Sequence, residues 1–396
     1  MLTRRFGRTG LQMSVLSMGG MRFQQSWRDS GQEIEAAAQR SLEQTVRRGI
    51  ELGINHIETA RGYGTSERQL GLLLPELDRE RLIVQTKIAP TPDSADFAEH
   101  VQESLRRLRL ERVDLLAIHG INTYEKLWWS VRPGGCLEVA RRFQQEGLVG
   151  HVGFSTHGSL DLIQTALRHE QHGGFDYVNL HWYYIWQHNW PAVLTAAERD
   201  IGVFIISPTD KGGRLYDPPP ELVRLCEPLH PIAFNTLFCL SRPEVHTLSL
   251  GAGSPADFDL AVEALGDLEV DPDILPNIEE RLDDAMAEVV GPAGVAGLIS
   301  GIPDWESAPG YINIRVVIWL RALVLAYGMR EYARGRYNML GHASDWFPGA
   351  NAAVSDQLDF GKALRDSPHQ DHVVGWLTEA HHMLSDEPQP RLSESE

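Results

Sequence analysis

Short apolar runs alternate with longer amphipathic stretches through the first 265 residues, and that rhythm constrains the fold of this chain more than any other feature. The runs are Ser14–Met18, Ile54–Glu58, Leu82–Lys87, Val113–Ile118, Val149–Phe154, Tyr177–Leu180, Val203–Ile206 and Val245–Leu250. Each is largely β-branched or aliphatic and bounded by polar or helical sequence, as expected of a parallel strand buried on both faces. Between them, Glu33–Leu52, Asp96–Leu108, Leu137–Glu146, Leu160–His169, Trp190–Arg199 and Pro255–Leu265 carry helical patterns. Eight such units predict an α/β chain folded as a closed (β/α)8 TIM barrel rather than an open sheet, and no glycine-rich dinucleotide fingerprint follows the first run.

In a barrel of this kind, chemistry is built at the C-terminal ends of the strands. The segment Gly53-Ile-Asn-His-Ile-Glu-Thr-Ala-Arg-Gly-Tyr-Gly-Thr-Ser-Glu67 places Glu58 and Tyr63 at the end of one run, Lys87 closes the next, and His119 follows the third. Reducing a carbonyl needs a hydride at carbon and a proton at oxygen. A tyrosine can give that proton, but its free pKa of about 10 makes it too weak an acid near neutrality. A neighbouring lysine favours the tyrosinate and lowers that value. A carboxylate paired with the lysine fixes its position, and a histidine can hydrogen-bond and orient the carbonyl oxygen. Singly, each of these residues is more often a packing or surface residue than a functional one. Together, at successive strand ends, they make a site.

Further motifs carry a resemblance. Arg5-Phe-Gly-Arg-Thr-Gly-Leu-Gln-Met-Ser-Val-Leu-Ser-Met-Gly-Gly20, Gly53–Glu67, Val152-Gly-Phe-Ser-Thr-His157, Ile205-Ile-Ser-Pro-Thr-Asp-Lys-Gly-Gly213 and Leu248-Ser-Leu-Gly-Ala-Gly-Ser-Pro255 occur in the order seen in the aldo-keto reductases, which the chain resembles over roughly residues 1–265. The resemblance implies an NAD(P)H-dependent oxidoreductase that reduces an aldehyde, ketone or quinone. It puts Tyr63 as proton donor, Lys87 and Glu58 as its tuning pair, and His119 as the group orienting the carbonyl. It also implies a cofactor site built from Gly20, Met21, Ser155, Thr156, Asn179, Ser207, Pro208, Lys211, Gly251, Ala252 and Ser254, with NADP as cofactor and NAD as the alternative.

The chain departs from that pattern in several places. Glu58 stands where the family carries Asp, Thr156 where many relatives carry Asn, Asn179 where Gln is common, and Ile206 where a stacking Tyr is common. Ala256, Asp257 and Asp259 follow the phosphate-binding turn where NADP-preferring relatives place a basic residue, and aspartates repel a 2′-phosphate. An adenine-contacting Glu/Asn pair is replaced by Leu260 and Ala261. A second reading therefore stands beside the enzyme: a non-catalytic cofactor-binding or scaffold protein on the same barrel. A metal hydrolase, the third barrel option, lacks any convergent histidine pattern across the strand ends, and no metal site is expected.

Composition bounds the remainder. A net charge of −18, from 54 acidic and 36 basic residues, disfavours nucleic-acid binding, which needs a basic face. No apolar run reaches the roughly 20 residues of a membrane helix; Val316–Ala326 is broken by Arg321. Met1-Leu-Thr-Arg-Arg-Phe-Gly lacks the apolar core of a signal peptide, and Cys136, Cys226 and Cys239 form no disulfide or metal-ligand spacing. A cytoplasmic location is the expectation, with a small-molecule carbonyl substrate as partner, no nucleic acid and no membrane. The oligomeric state is not legible.

The barrel is expected to occupy residues 1–268 and a helical C-terminal extension residues 269–396. Asp271–Pro276 has linker texture, Ile278–Val290 an amphipathic helical pattern, and Ile314–Leu340 a long apolar one. Within it, Val316, Trp319, Leu320, Leu323 and Tyr327 fall on one stripe, expected to pack as a cap on the barrel. Ser385–Glu396 is polar and expected to fray. Ala308-Pro-Gly-Tyr-Ile-Asn-Ile314 and Ala326-Tyr-Gly-Met-Arg-Glu-Tyr-Ala-Arg334 resemble the helix-bearing half of a ferredoxin-like segment appended in some bacterial relatives. No cysteine follows Cys239, so this degenerate segment lacks the thiolates of an iron–sulfur cluster and none is expected. Substrate choice is assigned to the loops Gly120–Gly135, with Trp128 and Trp129, and His181–Trp190, with Trp182, Tyr183, Tyr184 and Trp186. These aromatics either line a pocket mouth or pack, with packing favoured.

Overall fold

Eight parallel strands close into a barrel in the computed structural model, which describes residues 1–267 and 273–389. A small antiparallel hairpin of β1 (Thr3–Arg5) and β2 (Gln12–Ser14) precedes them. The barrel strands are β3 (Leu16–Gly19), β4 (His56–Glu58), β5 (Ile83–Ile88), β6 (Val113–Ile118), β7 (Val149–Ser155), β8 (Tyr177–Leu180), β9 (Gly202–Ile205) and β10 (Thr247–Leu250). Neighbours in sequence pair in space, and β10 pairs with both β9 and β3 to close the ring. Every run read from the sequence is a barrel strand, its ends shifted by at most two residues.

Helices Ala36–Glu51, Ser94–Leu108, Cys136–Gln145, Leu160–Leu167 and Trp190–Glu198 occupy the expected crossovers, and Asp259–Asp267 follows a single 3₁₀ turn at Pro255–Phe258. Helices not anticipated include Ser66–Leu73, Tyr124–Val131, Pro220–Cys226 and Pro231–Leu240. Ser66–Leu73 starts inside the signature segment, where catalytic-looking residues mask its pattern. Tyr124–Val131 lies within Gly120–Gly135, expected as a loop; Thr123 caps it by accepting from the Lys126 amide at 3.2 Å.

Side chains alternate along each strand, so positions 83, 85 and 87 of β5 share the inner face, as do 177 and 179 of β8. At the bottom of the barrel Ile83, Leu115, Ala117, Tyr177 and Phe204 form an apolar layer closed by Phe6 and Met13 from the hairpin. Phe6 fits because its strand-end neighbour has no side chain: a Cβ on Gly202 would lie 2.8 Å from the Phe6 ring. The hairpin is thus a plug whose wedge residue was matched to a glycine on β9.

These strands belong to one compact unit, Met1–Gly212 with Asn235–Asp267. A second unit combines Gly213–Phe234 with the described residues from 273 onward. Its central helix, Ile314–Tyr327, packs against Ile274–Val290, Arg330–Met339 and Gln370–Leu384. The expected single stripe is not what is found. Ile314, Val317, Ile318, Trp319, Leu320, Ala322, Leu323, Val324, Ala326 and Tyr327 are all buried, whereas Val316 is only half-buried, so the helix is enclosed on most of its circumference by its own unit. The long pattern over Ile314–Leu340 also divides, because Gly328 takes a left-handed φ of 70° and ends the first helix. Of the expected linker, 274–276 begin the helix Ile274–Val290, and 271–272 lie outside the described residues, as do 390–396 of the polar end. The three cysteines are buried and unbridged. No helix among the described residues is long and apolar enough to cross a membrane.

Phe6 is fully buried in the plug, so Phe6→Ala should destabilise the barrel by about 3–5 kcal/mol through lost burial and the cavity left behind. Denaturant unfolding measures this. A loss under about 1 kcal/mol would mean that the hairpin does not close the barrel floor.

Candidate active site

Glu58 is the last residue of β4, and its carboxylate forms an ion pair with the Lys87 ammonium from the inner face of β5. Both side chains are almost completely buried. Lys87 also donates to the Thr59 carbonyl at 3.1 Å, while Ser249 from β10 donates to Glu58 Oε2 at 3.4 Å. The extra methylene of Glu58, compared with aspartate, therefore does not prevent contact with the lysine. Two glycines make the room: a Cβ on Gly19 would lie 2.5 Å from Ser249 Oγ, and one on Gly20 would lie 2.5 Å from the Glu58 carbonyl oxygen. On the next strand Lys87 is in register with the small residue Ala117.

Tyr63 reaches this pair from a turn pinned to β5. Thr59 N donates to the Gln85 carbonyl at 2.9 Å and Arg61 N to the Lys87 carbonyl at 3.0 Å. Gly64, at φ 53°, passes so close to Ser26 that a Cβ would sit 1.9 Å from its carbonyl oxygen. The Tyr63 hydroxyl donates to Glu58 Oε1 at 3.5 Å, and Lys87 Nζ lies 4.6 Å from the centre of the Tyr63 ring. The His119 ring, just past β6, meets the Tyr63 ring edge to face at 5.8 Å. All four residues expected to act together are brought together.

Burial pushes the Lys87 ammonium well below the usual lysine range. Its Glu58 partner is what makes a charged lysine tolerable there. One layer down on the inner face, His56 contacts Ser17 Oγ at 2.7 Å, and Ser17 contacts Thr247 Oγ1 at 2.6 Å. Burial and the nearby Lys87 charge lower His56 to about 3, so it is neutral under the site. Glu67, fully buried in the helix Ser66–Leu73, accepts from Thr86 at 2.6 Å and Ser104 at 3.1 Å, tying that helix to the strand bearing Lys87.

The residues expected to hold a cofactor rim the same end of the barrel, with mixed environments. Asn179 is fully buried on the inner face of β8, and neither polar atom of its amide has a partner. Such a group costs stability unless a ligand completes it, and a carboxamide is a fitting complement. Ser155 lies beside it in register and accepts from the Gly120 amide at 3.0 Å. Thr156 is committed locally: its hydroxyl donates to the Ile121 carbonyl at 2.7 Å and accepts from Gly158 N at 2.9 Å. Ser207, at φ 54°, and the buried Pro208 form the turn after β9, where the Asn235 amide donates to the Pro208 carbonyl at 2.8 Å. Met21 is half-buried at the exit of β3.

The turn after β10 holds Gly251, the buried Ala252 and Ser254. Part of its anion-binding capacity is engaged from within. Asp257 accepts from the amides of Gly253 at 2.8 Å and Ser254 at 3.1 Å, and from Ser254 Oγ at 2.8 Å. A cation missed in the sequence sits here too. Arg22 forms an ion pair with Asp210 at 2.5 Å, and a Cβ on Gly251 would lie 3.9 Å from both Arg22 Nε and Asp210 Oδ2. Its position directly after Gly20-Met21 was the available signal. Lys211 points elsewhere, with Nζ 3.5 Å from His181 Nε2. Among the loop aromatics, Trp182 stacks on Phe238 at 5.0 Å and lies 4.8 Å from Trp190, as packing residues do, whereas Trp128 is exposed. No group of three metal-ligating side chains converges among the described residues.

Comparison with known proteins agrees with this geometry. The model of the aldo/keto reductase family matches residues 15–217, just over half of the chain. L-galactose dehydrogenase of Arabidopsis thaliana is 34% identical over 127 residues, covering 30% of this chain and 38% of that protein. L-glyceraldehyde 3-phosphate reductase of Escherichia coli K12 is 29% identical over 132 residues, covering 29% of this chain and 36% of that protein. The matched stretch thus spans little more than a third of either relative. In structure, the holo form of an aldo-keto reductase from Bacillus halodurans superposes with a TM-score of 0.58 at 22% identity, over 71% of this chain and 96% of that one. That likeness establishes the barrel.

The neutral His56 gives a pH prediction. Between about 3 and 6.5 the unfolded chain binds a proton that the folded chain refuses. The stability this contributes is present above pH 6.5 and is lost as pH falls toward 3. His56→Asn should therefore flatten the dependence of unfolding free energy on pH in that window, by about 1.4 kcal/mol per pH unit. Equal slopes for the variant and the parent between pH 6.5 and 4.5 would refute a buried neutral His56.

Proposed function

We propose that this chain, which belongs to the aldo/keto reductase family, reduces a carbonyl group of a small molecule to an alcohol with NAD(P)H. The observation that carries the reading is the buried Glu58–Lys87 pair in contact with Tyr63, with His119 against the same ring. The hydride for the carbonyl carbon would come from a reduced nicotinamide when one is bound. Tyr63 gives its hydroxyl proton to the carbonyl oxygen. The Lys87 charge beside the ring stabilises the tyrosinate as it forms, and Glu58 holds that lysine in place. His119 hydrogen-bonds the carbonyl oxygen and fixes its approach. Closed barrel walls keep water from the ion pair, so its field on the tyrosine is strong.

The cofactor-facing residues in this reading are Asn179 and Ser155 toward the carboxamide, with Gly20, Met21, Ser207, Pro208, Gly251, Ala252 and Ser254 along the rim. Arg22 supplies a cation beside Gly251. Asp257 bears on the cofactor's identity. It occupies the Gly253 and Ser254 amides and adds negative charge just past the turn, where the resemblance puts a 2′-phosphate. Of the two nicotinamide cofactors, NAD, which lacks that phosphate, suits these residues better than the NADP expected from the family pattern.

Tyr63→Phe should lower kcat on an aldehyde substrate by about a hundredfold or more while cofactor affinity is retained, because the hydroxyl acts on developing charge. Unchanged turnover in that variant rules the proton-donor role out. Cofactor binding by the parent, with no turnover of any aldehyde or ketone, would favour the scaffold reading instead.

Steady-state kinetics should show NADH used at least as well as NADPH. Asp257→Arg should raise kcat/KM for NADPH about tenfold by replacing a repelling charge with an attracting one. A parent with strong NADPH preference would show that Asp257 does not set the choice.

A further inference from the structure

Beyond the reductase site, a second group of polar side chains converges at the same end of the barrel. Ser155 and Asn179 are lateral neighbours on β7 and β8, and the residues two positions further along each chain are His157 and His181. Those two rings meet at 4.4 Å between centroids, with His181 Nε2 3.2 Å from His157 Nδ1. Lys211, from the turn after β9, brings Nζ to 3.5 Å from the same His181 nitrogen, and the Tyr183 hydroxyl lies 3.4 Å from His181 Nδ1. Depth sorts them. His181 and Tyr183 are buried, while His157 and Lys211 are half-buried. The inner pair is therefore a base on which the outer pair is oriented.

We propose that His157 and Lys211, held by His181, bind an anionic group of the substrate, a carboxylate or a phosphate, and so select carbonyl compounds that carry one. The inference rests on the reductase reading and extends it to the substrate class. Three donor-bearing groups from three strand ends meet at one point. An ammonium set against two imidazoles gathers N–H donors and positive charge at one point, and charge-assisted hydrogen bonds to an anion are the strong ones. The cluster's place in the barrel fixes the substrate's reach. His119 lies past β6, and the cluster lies past β7, β8 and β9. Neighbouring strands are about 4.8 Å apart, so the anion sits roughly 5–10 Å from the carbonyl oxygen held at Tyr63 and His119. A short aldehyde or ketone with an acidic group a few bonds away spans that gap. The acid next to the lysine in sequence does not serve it, since Asp210 sends its carboxylate to Arg22 beside Gly251. The two adjacent side chains of the β9 turn thus face different tasks.

The test compares 4-carboxybenzaldehyde with its neutral isostere 4-formylbenzamide, under saturating cofactor, for the full-length parent and for Lys211→Met and His157→Leu. The parent should show a kcat/KM ratio favouring the carboxylate by about tenfold or more, carried by KM, and both variants should bring that ratio toward one. Benzoate and inorganic phosphate, each titrated by calorimetry into the cofactor complex, show which anion is preferred. Either should bind once per chain to the parent and at least tenfold more weakly to Lys211→Met. A ratio near one in the parent overturns the proposal. So does a Lys211→Met variant that weakens cofactor binding and leaves the ratio intact, which would return the lysine to the cofactor. Should no aldehyde be turned over at all, the reductase reading fails on its own, and the calorimetric arm still decides the anion site. No binding of either anion to the parent sinks it, and binding abolished in both variants supports it.

Discussion

A charged pair buried inside a closed barrel sets the terms for the rest of this structure. Two opposite charges removed from water each cost several kcal/mol, and only close contact with hydrogen bonds to the leftover lone pairs and protons repays that cost. Glu58 and Lys87 meet these terms through neighbours that no single strand provides. Ser249 comes from β10, the Thr59 carbonyl from the β4 turn, and the space from Gly19 and Gly20 at the end of β3. A barrel, whose adjacent strands all end at one rim, is the arrangement that lets four chain segments meet around one ion pair.

The interior is graded from floor to rim. The hairpin residues Phe6 and Met13 seal an apolar floor with Tyr177 and Phe204. Above it comes a neutral polar layer of Ser17, His56 and Thr247, linked by short hydrogen bonds. Only at the rim do charges appear. This ordering keeps the ion pair from facing unbonded hydrocarbon, and it explains a histidine that stays neutral beneath a lysine. The layer beneath the chemistry is polar enough to be compatible with charge and dry enough to hold its field.

Much of this was legible from residue order. Buried parallel strands advertise themselves as short aliphatic runs, and all eight were read to within two residues; Glu58, Tyr63, Lys87 and His119 followed from the ends of three of them. What escaped was information carried by contacts rather than by pattern. Thr156 looks like a carboxamide ligand in sequence, but its hydroxyl bonds to Ile121, from a different strand end. Lys211 and Asp210 are neighbours in the chain and opposites in destination. Arg22 gains its meaning only beside Gly251, more than two hundred residues away. The enclosed helix Ile314–Tyr327 reads as one-sided until the helices around it are known.

The second unit is discontinuous along the chain, and this has a consequence for the order in which the molecule assembles. Its earlier piece, Gly213–Phe234, includes the helix Pro220–Cys226, whose end is gripped by Arg281 through the carbonyls of Leu225 and Glu227. Arg281 belongs to Ile274–Val290, and between the two pieces lies β10, the last stave of the barrel. As the chain leaves the ribosome, the helix Pro220–Cys226 must wait, its partners unmade, while β10 emerges and the barrel gains the means to close. Domains synthesised first tend to fold first, so the barrel can complete its ring around a loop that is still a loose end. The second unit then forms by folding back onto that retained segment. It is not a simple tail, because part of it lies within the barrel's own sequence.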